Sequence, residues 1–420
     1  MNSLTGSTPA NASDKGPAQA QAVSARAPAA ARTVLRLLQG LRHGTLTLEL
    51  PGGELRTFGD GHDLQAKIKL HNWAPFGAAL RSGDIGFAET FIAGDWTTPD
   101  LPGLLRLFVA NRQTLDTAIH GSWIGRLVYR LRHLLHRNTR ANSRKNIHAH
   151  YDLGNAFYRL WLDETMNYSS ALFPRDAQGQ ALGTLAEAQH AKVRRALDMT
   201  GLRAGERVLE IGCGWGALAE KATREFGARV TGVTLSTEQL AWAQRRLADQ
   251  GLADQADLRL QDYRDIDDGP YDAICSIEML EAVGREYWPT YFKAVARLLK
   301  PGGRACIKTI VIRDALFERY IASTDFIQQY IFPGGCLPSP ATFTQEAQAA
   351  GLQLVEALSF GRDYAETCKR WRETFLARRE EVQTLGFDAR FMRLWEFYLA
   401  YCEAGFAAGD IDVVQYTLQR

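Results

Sequence analysis

Residues 208–219 read VLEIGCGWGALA: an apolar run with one acid, Glu210, then glycines at 212, 214 and 216, then a helix-forming stretch. Gly212 and Gly214 let the backbone turn tightly and let a ligand approach where any side chain would obstruct it. The segment therefore reads as strand, ligand loop and helix, and the chain beyond it repeats the alternation. ERVLEIG (206–212) leads to GALAEKATREF, and ARVTGVTL leads to STEQLAWAQRRLADQ. DLRLQDY, YDAICSIEML and GRACIKTIVI follow, with helical segments between them. This order predicts an α/β fold, a doubly wound parallel sheet whose ligand site lies at the carboxyl ends of the strands.

The loop also discriminates between ligands. GCGWG lacks the GxGxxG spacing that brings a pyrophosphate onto a helix N-terminus, and the next strand, VTGVTLS, carries no acid at its tip to hold a ribose. The reading favours S-adenosylmethionine (SAM) over NAD.

The rest of the 420 residues, 46% of them hydrophobic, is enough for more than one core. Residues 1–30, rich in Ala, Ser and Pro, read as a disordered tail without the apolar core of a secretory signal. Residues 31–115 mix alternating stretches such as TLTLEL (45–50) with turns such as PGGE and DGHD, which predicts a smaller N-terminal α/β domain. Residues 116–145 form a linker in which SWIGRLVYRLRHLLHR (122–137) spaces its apolar residues as a basic amphipathic helix. Its stripe packs on a domain, its basic residues meet anionic lipid, where each contributes about 1 kcal/mol, or both hold at once. Residues 146–420 carry the chemistry. A formal net charge of +2 gives no reason to expect nucleic acid. The six cysteines are scattered without a CxxC pair, which suits reduced thiols in the cytoplasm and predicts no metal site. No apolar stretch reaches the roughly 18 residues of a membrane-spanning helix.

One residue breaks the strand pattern. ACIKTIV (305–311) is a buried-strand sequence with Lys308 at its centre, and an unpaired buried charge costs several kcal/mol. Lys308 therefore reaches an open cleft or meets an anion.

The ordered set HYDLGNAFY (150–158), MNYSSALF (166–173), VLEIGCGWG (208–216), VTGVTLSTEQ (230–239), LQDYRD (260–265), YIFPGGCLPS (330–339) and EAGFAAGDIDVVQYTLQR at the C-terminus resembles the cyclopropane fatty acid synthase family. The likeness runs from about residue 143 to the end, and GDIGFAETFIAGDW (83–96) looks like the family's N-terminal domain. It implies a class I SAM-methyltransferase fold, Rossmann-like and doubly wound, behind a lipid-associated N-terminal domain. It also implies alkylation of double bonds in the acyl chains of unsaturated membrane phospholipids. The enzyme would be peripheral on the inner face of the membrane, attached through the basic helix, and a homodimer whose interface is not legible.

Residue by residue, the resemblance implies that Tyr168 and Ser169 touch SAM, that Gly212 and Gly214 form its loop, that Thr234 and Gln239 hold its ribose end, and that Asp262 lies by the adenine. It implies a bound bicarbonate as base, held by Glu281, the backbone of Ile310, Tyr364, and the positions of Ser170 and Lys308. Those last two depart from the family's cysteine and histidine, and Ala282 stands where a histidine is usual. Lys308 would lie near Glu281, binding the bicarbonate, displacing it or taking the proton itself. Tyr151, Phe157 and Tyr158 are aromatic candidates for facing the carbocation left by methyl transfer, in a stretch whose aromatics mostly read as core. A cyclopropane ring is the first expected product, with methyl or methylene branching as the alternative. A methyltransferase for soluble acceptors and a binding protein without turnover are the competing classes.

Overall fold

Val208, Leu209, Glu210 and Ile211 are all buried because β5 (Arg207–Ile211) is an interior strand of a seven-stranded sheet. A strand covered on both faces needs an almost unbroken apolar run, which is what the sequence supplies there. The protein is described by a computed structural model covering residues 27–119 and 153–420; the expected tail up to residue 26, the basic segment 122–137 and Tyr151 lie outside these residues.

The other strands of this sheet are β6 (Arg229–Thr234), β7 (Ala256–Leu260), β8 (Tyr271–Ile277), β9 (Leu299–Ile312), β10 (Gln353–Ser359) and β11 (Ile411–Gln419). Their spatial order is β10-β11-β9-β8-β5-β6-β7. From β5 the chain builds outward through β6 and β7, then returns to lay β8 and β9 in parallel on the opposite side. That reversal leaves a crevice at the carboxyl ends of β5 and β8, between Gly212 and Glu278.

The sheet is mostly parallel, and it departs from the all-parallel expectation at β11 and β10, which pair antiparallel. The cause is the closing helix Ala389–Ala408, capped by left-handed Gly409 (φ 69°). It delivers the chain beside the carboxyl end of β9, where Arg313 N–H donates to the Asp410 carbonyl, so β11 must run back along β9. Lys308 thus sits between Ile277 of β8 and Gln415 of β11 and is 0% exposed.

The N-terminal layer is a second sheet, with β1 (Thr45–Glu49), β2 (Leu55–Phe58), β3 (Gln65–Leu70) and β4 (Trp96–Thr97) in the order β2-β1-β3-β4. Along β3, Ala66, Ile68 and Leu70 are buried while Lys67 and Lys69 face out, the alternation of a sheet covered on one side. The helix Ala74–Ala93 is broken at Gly83 (φ 59°, ψ −133°), a conformation open mainly to glycine. The layer rests on the closing helix: the rings of Phe91 and Phe397 lie 5.7 Å apart, and Tyr401 Oη donates to Asp84 Oδ2 at 3.0 Å.

Gly216 marks the tightest fit around the ligand loop. It has φ 84°, and a Cβ there would stand 2.9 Å from Cβ of Ala243 on the neighbouring helix Thr237–Ala248. Gly216→Ala should therefore cost about 1–3 kcal/mol, measured as a lower urea midpoint with an unchanged slope.

Candidate functional site

Two cavities meet at the carboxyl ends of β5 and β8. The first is a cleft whose wall includes all seven residues expected around SAM: Tyr168, Ser169, Gly212, Gly214, Thr234, Gln239 and Asp262. Gly212 (φ 88°) and Gly214 (φ 49°) turn the loop with backbone angles that side chains disfavour. Thr234 Oγ1 donates to Gln239 Oε1 at 3.2 Å, which leaves the Gln239 amide nitrogen to donate elsewhere. Asp262 is engaged locally: it accepts from Arg264 N–H at 3.0 Å and pairs with the Arg264 guanidinium at 2.5 Å.

The fit to a ligand with polar ends is shown by Glu210. It lines the cleft, its Oε2 is buried without a partner, and burial pushes its carboxyl up to about 8. A buried polar atom left unsatisfied is costly, and a donor entering the cleft relieves that cost.

Two buried polar residues here escaped the sequence reading. Lys192 is 0% exposed and donates to Asn167 Oδ1 (3.0 Å) and Ser169 Oγ (2.6 Å), while Gln189 donates to the Ser169 carbonyl (2.8 Å). Together they fix the loop 166–170, in which Met166 takes a left-handed φ of 54°. Burial draws the Lys192 ammonium well below the usual lysine range. The signal was available: Gln189 and Lys192 fall on the apolar stripe of Ala188, Val193, Ala196 and Leu197, where polar residues need a partner.

The second cavity is about 1000 Å³ and mainly apolar. It runs from Leu46, Leu48 and Ile68 of the N-terminal layer to Tyr168, Glu281 and Tyr364. Tyr168, Glu278 and Ala282 belong to both walls and so mark the junction of the two cavities.

At that junction the five residues expected around one anion separate into two groups. Lys308 Nζ donates to Glu278 Oε1 at 2.5 Å and to the Ser170 carbonyl at 2.9 Å. Ser170 N–H donates to the same Oε1 at 2.9 Å, and Tyr364 Oη donates to Glu278 Oε2 at 2.6 Å. Ile310 N–H instead serves Glu281, donating to Oε1 at 2.5 Å. The partner of Lys308 is thus Glu278 and not Glu281, because β8 ends at Ile277 and brings residue 278 directly beside residue 308.

Glu278 went unnoticed because the resemblance pointed to Glu281 alone. The SIEMLE stretch nevertheless holds an acid immediately after the strand, at the mouth. Glu278 has φ 50°, which costs a non-glycine residue roughly 1–2 kcal/mol, and its side-chain bonds hold it there. The Ser170 hydroxyl turns away to the Ala171 carbonyl (2.9 Å), so only its backbone serves the carboxylate. Three of the groups expected around bicarbonate, Ser170 N–H, Lys308 Nζ and Tyr364 Oη, donate to Glu278 in this structure.

The electrostatics divide the two acids. Glu281 is pushed up to about 8, first by burial and then by the charge of Glu278, and its Oε2 has no partner. At neutral pH it is therefore a neutral acid beside a carboxylate bound by three donors. Burial also draws Lys308 below the usual lysine range, against the pull of Glu278.

The aromatic expectation is corrected as well. Phe157 and Tyr158 are 0% exposed and packed in a ring cluster with Trp161 and Trp395, so they line neither cavity. Tyr168, Tyr364 and Tyr398 do, with Tyr168 and Tyr398 sharing a 2.7 Å hydroxyl contact.

Lys308→Met leaves the Glu278 charge without its cation and should cost about 3–5 kcal/mol in urea unfolding, with Lys308→Met/Glu278→Gln recovering much of the loss. For Glu281, the native protein keeps a proton between about pH 4.5 and 8 that the unfolded chain has lost. Stability therefore falls as pH rises through that window and levels off above it. Glu210 contributes over the same window, so Glu281→Gln should make the slope shallower rather than abolish it, its melting temperature exceeding the parent's by a margin that grows from pH 5 to pH 8.

Comparison with known proteins places the chain among relatives. Residues 138–416 match the family described as mycolic acid cyclopropane synthetase. The chain is 42% identical over 345 residues to the tuberculostearic acid methyltransferase UfaA1 of Mycobacterium tuberculosis, covering 81% of this chain and 80% of the relative. It is 34% identical over 359 residues to the cyclopropane-fatty-acyl-phospholipid synthase of Escherichia coli, covering 84% and 88%. Among solved structures it resembles the mycolic acid cyclopropane synthase CmaA1 complexed with SAH and CTAB, with a TM-score of 0.61 and 34% identity over 66% of this chain and 98% of that one. The seven-stranded sheet, the glycine loop and these matches agree: the chain belongs to the mycolic acid cyclopropane synthetase family and is a SAM-dependent methyltransferase.

Proposed function

We propose that the enzyme methylates a double bond in the unsaturated acyl chain of a membrane phospholipid. The observation that carries this reading is the junction itself, where a long apolar cavity meets the SAM cleft at Tyr168, Glu278 and Ala282. When bound, SAM supplies the methyl group as a cation equivalent. Gly212, Gly214, Thr234 and Gln239 would hold it, with Tyr168 and Ser169 toward the acceptor and Asp262 beside the adenine. The acyl chain would thread the apolar cavity and expel water from the reacting carbons, which a poor nucleophile such as an alkene requires. The rings of Tyr168, Tyr364 and Tyr398 would face the positive charge that develops on the chain.

A methylene-branched chain is the product favoured here, since the methyltransferase relative is the more similar of the two and Glu278 departs from the expected anion pocket. Ring closure is the second reading, supported by Glu281, Ile310 and Tyr364 all lying in the wall of the apolar cavity. Access to lipid in this reading is peripheral, through the basic segment 122–137; among the described residues no helix is long and apolar enough to cross a membrane.

Incubation with SAM and monounsaturated phospholipid vesicles should add one CH2 to the acyl mass, with olefinic methylene protons by NMR for the branched product and ring protons for the second reading. Methylation of a soluble polar acceptor without any change in the lipid would overturn the proposal. Vesicle binding should weaken with salt and with loss of anionic lipid, and indifference to both would remove the electrostatic part.

A further inference from the structure

We propose that Glu278 is itself the base of the reaction, so that the enzyme carries in its own chain the group that the resemblance assigns to bound bicarbonate. The proposal rests on the alkylation reading above and names the residue that completes it.

Position comes first. Glu278 is in the walls of both the SAM cleft and the apolar cavity, so its carboxylate stands where a newly transferred methyl group must lie. Its fixation is equally telling. Ser170 N–H, Lys308 Nζ and Tyr364 Oη all end on its two oxygens, and its backbone N–H donates to the Lys308 carbonyl at 2.7 Å. A carboxylate offers about four acceptor positions. Three are filled, two on Oε1 and one on Oε2, which leaves a position on Oε2 to accept a proton. The same three donors cannot serve a second anion in that place.

Lys308 follows from this arrangement. A free anion of an ion-binding site arrives with a counterion or a proton, whereas a carboxylate built into the chain must be compensated by the chain. Lys308, with donors and no acceptor, supplies that compensation. It acts through Glu278 and is a positioning residue. Glu281 is the neutral neighbour, since a second charge beside Glu278 would be repelled.

The step balances without oxidant or reductant. The alkene pair bonds to the methyl carbon as the methyl–sulfur bond breaks, the bond's pair leaving on sulfur as S-adenosylhomocysteine, and the neighbouring chain carbon becomes electron-deficient. Glu278 Oε2 removes a proton from the methyl carbon. The released C–H pair closes a ring onto the electron-deficient carbon, or, after a hydride has shifted along the chain, forms the double bond of a methylene branch. The proton rests on Glu278 until product leaves and water takes it.

The test uses CO2-depleted buffer, with and without added bicarbonate. The parent enzyme should turn over at the same rate in both. Glu278→Gln, of the same shape but unable to act as base, should lose about 10²–10⁴-fold in kcat with little change in the KM for SAM. Glu278→Gly relieves the left-handed strain and vacates the three donors, so it should regain activity only when bicarbonate is added. Calorimetry with bicarbonate should show binding to Glu278→Gly and none to the parent, a readout independent of turnover. A parent enzyme that alkylates lipid only with bicarbonate, or a folded Glu278→Gln that keeps its kcat, would overturn the assignment. A parent that alkylates no lipid in either buffer would instead remove the function on which it rests.

Discussion

An ion pair buried between β8 and β9 organises the reaction centre. The side chains of Lys308 and Glu278 are 0% and 9% exposed, and neither charge is tolerable there alone. Meeting their needs draws in the loop after Tyr168 through the Ser170 backbone, and the helix Gly361–Ala377 through Tyr364. Four segments distant in sequence are thereby fixed at one point, the point where the two cavities join. The pair's value lies in position more than in stability, since buried pairs seldom outperform apolar packing.

The fold was largely legible because its signals are local. β5 to β9 follow from apolar runs separated by helical spacing, and the ligand loop from three glycines in five residues. What escaped was the antiparallel edge. The direction of β11 is set by where the helix Ala389–Ala408 releases the chain, beside Arg313, and no pattern within residues 411–419 encodes that encounter.

The site divides along the same line. The SAM-cleft residues lie in motifs that keep their spacing, and the structure gathers them in one wall. Lys308 announced itself as a charge in a buried strand, yet the sequence led to Glu281 as its partner, because the strand register that brings Glu278 to face it is not written in either stretch. Lys192 and Gln189 were hidden for a different reason. Helices are expected to carry lysines and glutamines, and only their place on the apolar stripe distinguishes them from residues on a solvated face.

The apolar cavity is walled at one end by the reaction centre and at the other by β1, β3 and the broken helix Ala74–Ala93. On the proposed function, the chemistry and the reach of the acceptor chain are encoded in separate stretches of sequence, 75 residues apart at their nearest, from Ala93 to Tyr168. Substitutions in the distant wall alter the room for the chain's far end while leaving the ion pair untouched. On the proposed function, selection can therefore retune which lipids are accepted without reopening the problem of how the bond is made.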